Sequence, residues 1–168
     1  MSNLSADKSL PEPLAQDAEI SISETTTYPA QFKSLDKVRA CVGRVAKTCG
    51  FKPSDVYNVQ LAVDEAFTNI IEHAYGGESQ DEIDCSCQYK DGALTIILWD
   101  RGRSFNPSEV PEPDLDTELE NRQIGGLGLY FIHQLMDEVE FTFVPATREK
   151  RGYNVLKMVK YKEKEKKT

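Results

Sequence analysis

Glu65-Ala66-Phe67-Thr68-Asn69-Ile70-Ile71-Glu72-His73-Ala74-Tyr75 closes a segment that opens at Pro53-Ser54-Asp55 and stops at Gly76-Gly77, the start and stop signals of one helix. Val56, Val59, Val63, Phe67 and Ile70 recur at three- and four-residue steps and form its core-facing stripe. A polar stripe runs beside it. Glu65, Asn69, Glu72 and His73 fall at i, i+4, i+7 and i+8, so a regular helix places them on one face. A solvated surface accounts for such stripes on most amphipathic helices. Asn69 fits that account poorly. Asparagine is a weak interior helix former, whereas its amide oxygen can serve a hard cation such as Mg²⁺ while a carboxylate one turn earlier serves as a base.

Working outward, Ile20, Ile22 and Thr25 to Tyr28 predict a strand ended by Pro29, and Phe32, Leu35, Val38, Val42, Val45 and Cys49 predict an amphipathic helix stopped by Gly50. On the other side, Ile83 to Tyr89 and Leu94 to Trp99 read as a hairpin turning at Asp91-Gly92. Its second strand is apolar on both faces and therefore expected at the centre of a sheet. The stretch from Arg101 to Gln123, broken by Pro107, Pro111 and Pro113, reads as a lid. Gly125 to Gly128 lead into a helix of Leu129, Ile132, Leu135 and Met136, followed by strands near Val139 to Val144 and Tyr153 to Lys160. Residues 1–18 read as a disordered leader, 19–160 as one folded domain and 161–168 as a charged tail, with no internal repeat.

Charge and length narrow the function classes. The 168 residues carry 20 basic and 28 acidic side chains, a net charge of −8. One domain of this size buries about 70% of its unfolded surface and needs neither metal nor disulfides to fold. A net acidic surface repels phosphate backbones and anionic lipids, so neither nucleic acid nor a membrane surface is an expected partner. From Lys157 to Lys167 six lysines accompany two glutamates, which reads as a solvated tail. No apolar run is long enough to cross a bilayer, and Met1 to Glu19 lacks the pattern of a secretory signal, so the expected location is the cytoplasm. Cys41, Cys49, Cys85 and Cys87 contain no CxxC pair, and with two histidines in the chain they read as small buried hydrophobes rather than zinc ligands.

Two further clusters carry chemistry. Asp100-Arg101-Gly102-Arg103-Ser104-Phe105 begins where the central strand ends. A carboxylate there can accept a hydrogen bond from the exocyclic amine of adenine, and the glycine lets backbone approach a flat ring; an ordinary strand-to-turn Asp-x-Gly is the alternative. Ile124-Gly125-Gly126-Leu127-Gly128-Leu129 precedes a helix, and successive glycines free backbone amides to wrap a phosphate. A plain loop-to-helix hinge is the alternative here. No Lys-Ser/Thr follows, which excludes a P-loop, and the glycines follow a lid rather than a strand, which argues against a dinucleotide fingerprint.

In this order the three clusters resemble the GHKL ATPase and kinase superfamily of gyrase, Hsp90, histidine kinases and MutL. Within it the likeness is to the small stand-alone bacterial serine/threonine-protein kinases that act as anti-sigma factors. Glu65 to Tyr75 matches the N-box, Asp100 to Phe105 the first glycine box and Gly125 to Leu129 the second, and the resemblance spans residues 20–160. It implies an α+β fold: a two-layer α/β sandwich with a mixed, mostly antiparallel sheet and helices on one face. It also implies ATP and Mg²⁺ as cofactors, with Glu65 as general base, Asn69 on Mg²⁺, Asp100 on adenine, and Gly126 and Gly128 at the phosphates. His73, Gly102, Gly125 and Leu127 complete the implied nucleotide contacts, and Arg122, at the end of the lid, is the candidate cation near the γ-phosphate.

Departures from the family pattern are local. Lys157 stands where relatives often carry Thr in the last strand near the adenine, Ser104 replaces a frequent Gly or Pro, and six acids without a base lie between Glu109 and Glu120. A histidine kinase would need a separate phosphoacceptor helix pair, for which the sequence has no room, and gyrase-like machines use further domains. The implied function is phosphorylation of an anti-anti-sigma (STAS) partner, with control of a sigma factor and a homodimeric state. The alternative is a nucleotide-gated module that sequesters a regulator without efficient phosphoryl transfer.

Overall fold

The computed structural model describes residues 21–113, 115 and 126–163. Ile20, the expected leader, Arg122, Gly125 and residues 164–168 of the expected tail lie outside the described residues.

Strand β1 (Ile22–Pro29) leads through a 3₁₀ turn (Phe32–Ser34) into α1 (Leu35–Thr48). Helix α2 (Pro53–Asn69) follows, started by Pro53, whose fixed φ suits a first helical position. Then come β2 (Glu82–Lys90), β3 (Ala93–Asp100), a short 3₁₀ turn (Pro107–Glu109), α3 (Leu127–Leu135), β4 (Glu138–Val144) and β5 (Tyr153–Tyr161). The strands form one sheet in the order β1-β2-β3-β5-β4. All its pairings are antiparallel, so the parallel component of the expected mixed sheet is absent among the described strands.

The alternation of each strand explains the two layers. Ile83, Cys85, Cys87 and Tyr89 of β2, Leu94, Ile96 and Leu98 of β3, and Leu156 and Met158 of β5 turn to one face and are buried. They pack under Val38, Val42 and Val45 of α1, Val59, Val63 and Phe67 of α2, and Ile132 of α3. Phe67, fully buried, meets the Tyr28 ring edge-on with centroids 6.1 Å apart. Each such large side chain contributes about 1.5–3 kcal/mol on leaving water. The four thiols are free, and Cys49, Cys85 and Cys87 belong to this core.

β3 is central, as its composition predicts, but only one of its faces is buried. Ala93, Thr95, Ile97 and Trp99 point to the opposite side of the sheet and are half-buried. The inner face ends at Asp100, which the β3–β5 register places opposite Asn154. Both are buried beneath the C-terminal end of α2.

That end of α2 departs from regular geometry. The α-helix stops at Asn69 and the chain continues as a π-helical turn over Ile70–Ala74, with Tyr75 N–H donating to Ile70 O at 3.0 Å. A wider turn rotates the residues that follow it off the face defined by those before, and such turns gather at functional sites.

Candidate functional site

The polar stripe of α2 is therefore split. Glu65 and Asn69, on the regular helix, face the first turn of α3: a methyl group on Gly128 would stand 2.9 Å from Glu65 Oε2 and 3.3 Å from Asn69 Nδ2. His73 lines the adjoining cleft, whereas Glu72, also within the π turn, does not. The four residues that a regular helix would align are thus three plus one, and the π turn is the reason.

The cleft opens between α2, α3 and the inner face of β3 and β5. Ala66, Ile70, Phe105, Leu129, Ile132 and Phe141 make it apolar, and Asn69, His73, Asp100, Thr142 and Asn154 supply its polar groups. Phe105 and Phe141 stack at a tilt, 5.3 Å between centroids, at one side. A mostly apolar cleft lined by one buried carboxylate suits an aromatic base bearing an amine.

Asp100 is held from two directions. Its Oδ1 accepts from the backbone N–H of Gly102 at 2.9 Å and from Asn154 Nδ2 at 2.8 Å. Burial pushes its pKa up, and these two hydrogen bonds pull it back toward the ionised form. Asn154 also donates to Arg103 O at 2.9 Å and accepts from Phe105 N–H at 3.1 Å, so it ties the first glycine box to β5.

Glycine at 102 has a steric reason different from the one the sequence suggests. A Cβ there would lie 2.5 Å from Ala74 O and 2.6 Å from Ala74 C, so the close approach is to the backbone of the π turn. Arg103 N–H donates to the same carbonyl at 2.8 Å, and Arg103 Nη2 donates to His73 O at 3.1 Å. Tyr75 completes the clasp: its hydroxyl accepts from Arg101 N–H at 3.0 Å and donates to Glu82 O at 2.8 Å.

At the other glycine box, Gly126 caps α3 with φ of 81°, a left-handed conformation that glycine adopts without strain. A Cβ there would meet Pro111 O at 2.4 Å, so the described part of the lid rests on the start of α3. Leu127, the first residue of α3, is exposed. Glu65, partly buried beside this turn, has its pKa raised, first by burial and then by the charges of Asp64 and Glu72.

A profile of the histidine kinase-like ATPase domain matches residues 28–160. The chain belongs to that family. Membership in the histidine kinase-like ATPase family makes this an ATP-binding domain, and its relatives narrow the type. It is 31% identical over 123 residues to the serine-protein kinase RsbW of Listeria monocytogenes, covering 71% of this chain and 78% of that one. RsbW of Halalkalibacterium halodurans is 32% identical over 118 residues (68% and 72%), and RsbW of Bacillus mycoides 34% over 116 residues (67% and 72%). These similarities mark the chain as a kinase-like regulator. The fold also matches the crystal structure of the RsbU and RsbW domains of Rv1364c from Mycobacterium tuberculosis. That match has a TM-score of 0.59 at 18% identity and covers 85% of this chain and 33% of that longer one.

Of the residues singled out in the sequence, Glu65, Asn69 and Gly128 come together, Asn69, His73 and Asp100 line the cleft, and Gly102 packs against Ala74 at its edge. Lys157 does not. It pairs with Ile97 on the outer face of the sheet, and the last-strand residue beside Asp100 is Asn154, three positions earlier. Asn154, Phe141 and Thr142 were not legible as site residues, because only strand register brings them to Asp100; the Gly152-Tyr153-Asn154 start of β5 was the one available hint. Among the described residues no helix is long and apolar enough to cross a membrane.

Proposed function

We propose that residues 19–160 form an ATP-dependent serine/threonine-protein kinase that acts as an anti-sigma regulator in the cytoplasm. Its substrate is an anti-anti-sigma (STAS) domain and its active form a homodimer. The observation that carries this reading is the approach of Gly128 to both Glu65 and Asn69, which gathers a carboxylate, a side-chain amide and a helix N-terminus around one point.

ATP lies with its adenine in the cleft, the amine toward Asp100, and its phosphates toward Gly126, Leu127 and Gly128, with Gly125 and Arg122 assigned to the same end. The N-terminus of α3 offers unpaired amides and a favourable field to the phosphates. Glu65 takes the proton from a serine or threonine hydroxyl of the partner as its oxygen forms a bond to the γ-phosphorus and the bond to the ADP oxygen breaks. The raised pKa of Glu65 brings it nearer the strength a base needs at neutral pH. For Mg²⁺ the donor is suitable: the amide oxygen of Asn69, beside the first turn of α3, is a hard oxygen ligand, and Mg²⁺ takes one or two protein oxygens and fills its shell with phosphate and water. Asn69 would hold it, and when bound the ion would supply neutralisation of charge on the phosphates. A phosphate placed on the partner at the contact adds about two negative charges to an interface with this acidic protein and so releases the complex.

The test is transfer of label from γ-³²P-ATP to a purified STAS domain. Glu65→Gln should lower the rate about 10²–10⁴-fold with ADP affinity kept. No transfer by the wild-type protein to any STAS domain, with nucleotide bound, would leave a nucleotide-gated binding module instead.

A further inference from the structure

The two oxygens of Asp100 are in different situations. Oδ1 is saturated by Gly102 N–H and Asn154 Nδ2. Oδ2 has no hydrogen-bond partner among the described residues, yet it is not sealed in, since the one buried side-chain polar atom left unpartnered there is Asp64 Oδ1. Asn154, 8% exposed, has both amide hydrogens engaged, on Asp100 Oδ1 and Arg103 O, and its Oδ1 accepts from Phe105 N–H. It has no donor left for a ligand. As a donor it reaches a bound base only through Asp100.

We propose that Asn154 is the positioning residue for base selection: by engaging Oδ1 it leaves Oδ2 as the single acceptor offered to the base, so the cleft takes a 6-aminopurine and refuses a 6-oxopurine. The inference rests on the nucleotide reading of the cleft given above. An amine at position 6 donates to Oδ2, whereas a carbonyl there sets two acceptors against each other and leaves both unpaired in a desolvated slot. Discrimination of this kind depends on Asp100 being an acceptor and staying in one orientation. A carboxyl in a buried place drifts toward its protonated form, which could turn and donate to a 6-oxo group. Two donors on Oδ1 oppose both the protonation and the rotation.

Mg-ADP and Mg-IDP, which differ at position 6 of the purine and in the N1 proton that goes with it, test this by calorimetric titration. Wild type should bind ADP at least about 100-fold tighter than IDP. Asn154→Leu should cut that preference tenfold or more, mostly through weaker ADP binding. Asn154→Asp keeps the shape and removes the donor; it should lose the preference at least as far, because two adjacent carboxyls share a proton that can be offered to the 6-oxo group. It carries the test if the leucine variant fails to fold. Equal weakening of both nucleotides, with the ratio intact in either folded variant, would reduce Asn154 to a structural tether and overturn the inference alone. A wild-type ratio near one would do the same. Wild type binding neither nucleotide would overturn the nucleotide reading itself.

Discussion

Gly128 and Glu65 are 63 positions apart in the chain, and a single methyl group on the glycine would stand 2.9 Å from the glutamate's Oε2. Asn69 is at nearly the same range, so the first turn of α3 and the last two turns of α2 share one small space with three functional residue types around it. The atoms that such a methyl group would meet are ends of side chains, which can swing aside. The atoms that a methyl group on Gly102 would meet are the backbone and the Cβ of Ala74, which cannot. The same substitution at the two glycines should therefore have opposite consequences.

Gly128→Ala is expected to fold normally, with the ligand-free melting temperature within about 2 °C of wild type, and to lose nucleotide binding at least tenfold. A ligand at a hundred times its dissociation constant adds about 2.7 kcal/mol, or about 5–10 °C for a domain of this size. Thermal melts with and without Mg-ADP measure both quantities. An unaltered ligand-induced shift in Gly128→Ala would detach this glycine from the phosphates.

Gly102→Ala should behave in the reverse order, destabilising the ligand-free protein by about 1–3 kcal/mol through overpacking against Ala74. Urea unfolding should show a lower midpoint with an unchanged slope. A midpoint equal to wild type would mean that the π turn yields to the added carbon.

Glu65 ties stability to pH. Its carboxyl is raised by burial and by Asp64 and Glu72, so the folded protein holds this proton more tightly than the unfolded chain does. Ionisation then costs stability as pH rises through the interval between the ordinary glutamate value and the raised one, and the cost is absent below that interval. Glu65→Gln should accordingly raise the melting temperature at neutral pH and leave it unchanged under acid conditions. A rise of the same size at both pH values would contradict this origin.

Asn69→Ala should abolish the part of the nucleotide-induced thermal shift that needs divalent cation. In wild type, chelation by EDTA should shrink the shift produced by ADP, and in Asn69→Ala it should change little. If EDTA lowers both proteins equally, the cation is held elsewhere.

Periodicity and punctuation in the chain were enough to place each described strand to within two residues and to locate the three α-helices, although α1 begins three residues later than expected and α2 gives way to the π turn at Ile70. Val56, Val59, Val63, Phe67 and Ile70 are all buried as their spacing predicts, and the Asp91-Gly92 turn joins β2 to β3. These signals are local, set by 3.6- and 2-residue repeats and by the backbone freedom of glycine and proline. Chemical character was local too: Glu65, Asn69 and Asp100 stand out as polar residues beside apolar runs, and the functional expectation grew from them.

What stayed hidden depends on partners far away in the chain. Asn154 reaches Asp100 across 54 residues because β5 pairs with β3 in one register, and a different register would have brought another residue to that carboxylate. The π turn that separates Glu72 from Glu65 and Asn69, and the contact that makes Gly102 obligatory, likewise arise from α2 and the β3 exit meeting at Ala74. Residue type and repeat set which groups could act and on which elements. Long-range strand pairing and helix packing chose their neighbours, since backbone hydrogen bonds and close contacts between distant segments leave no periodic trace in the chain.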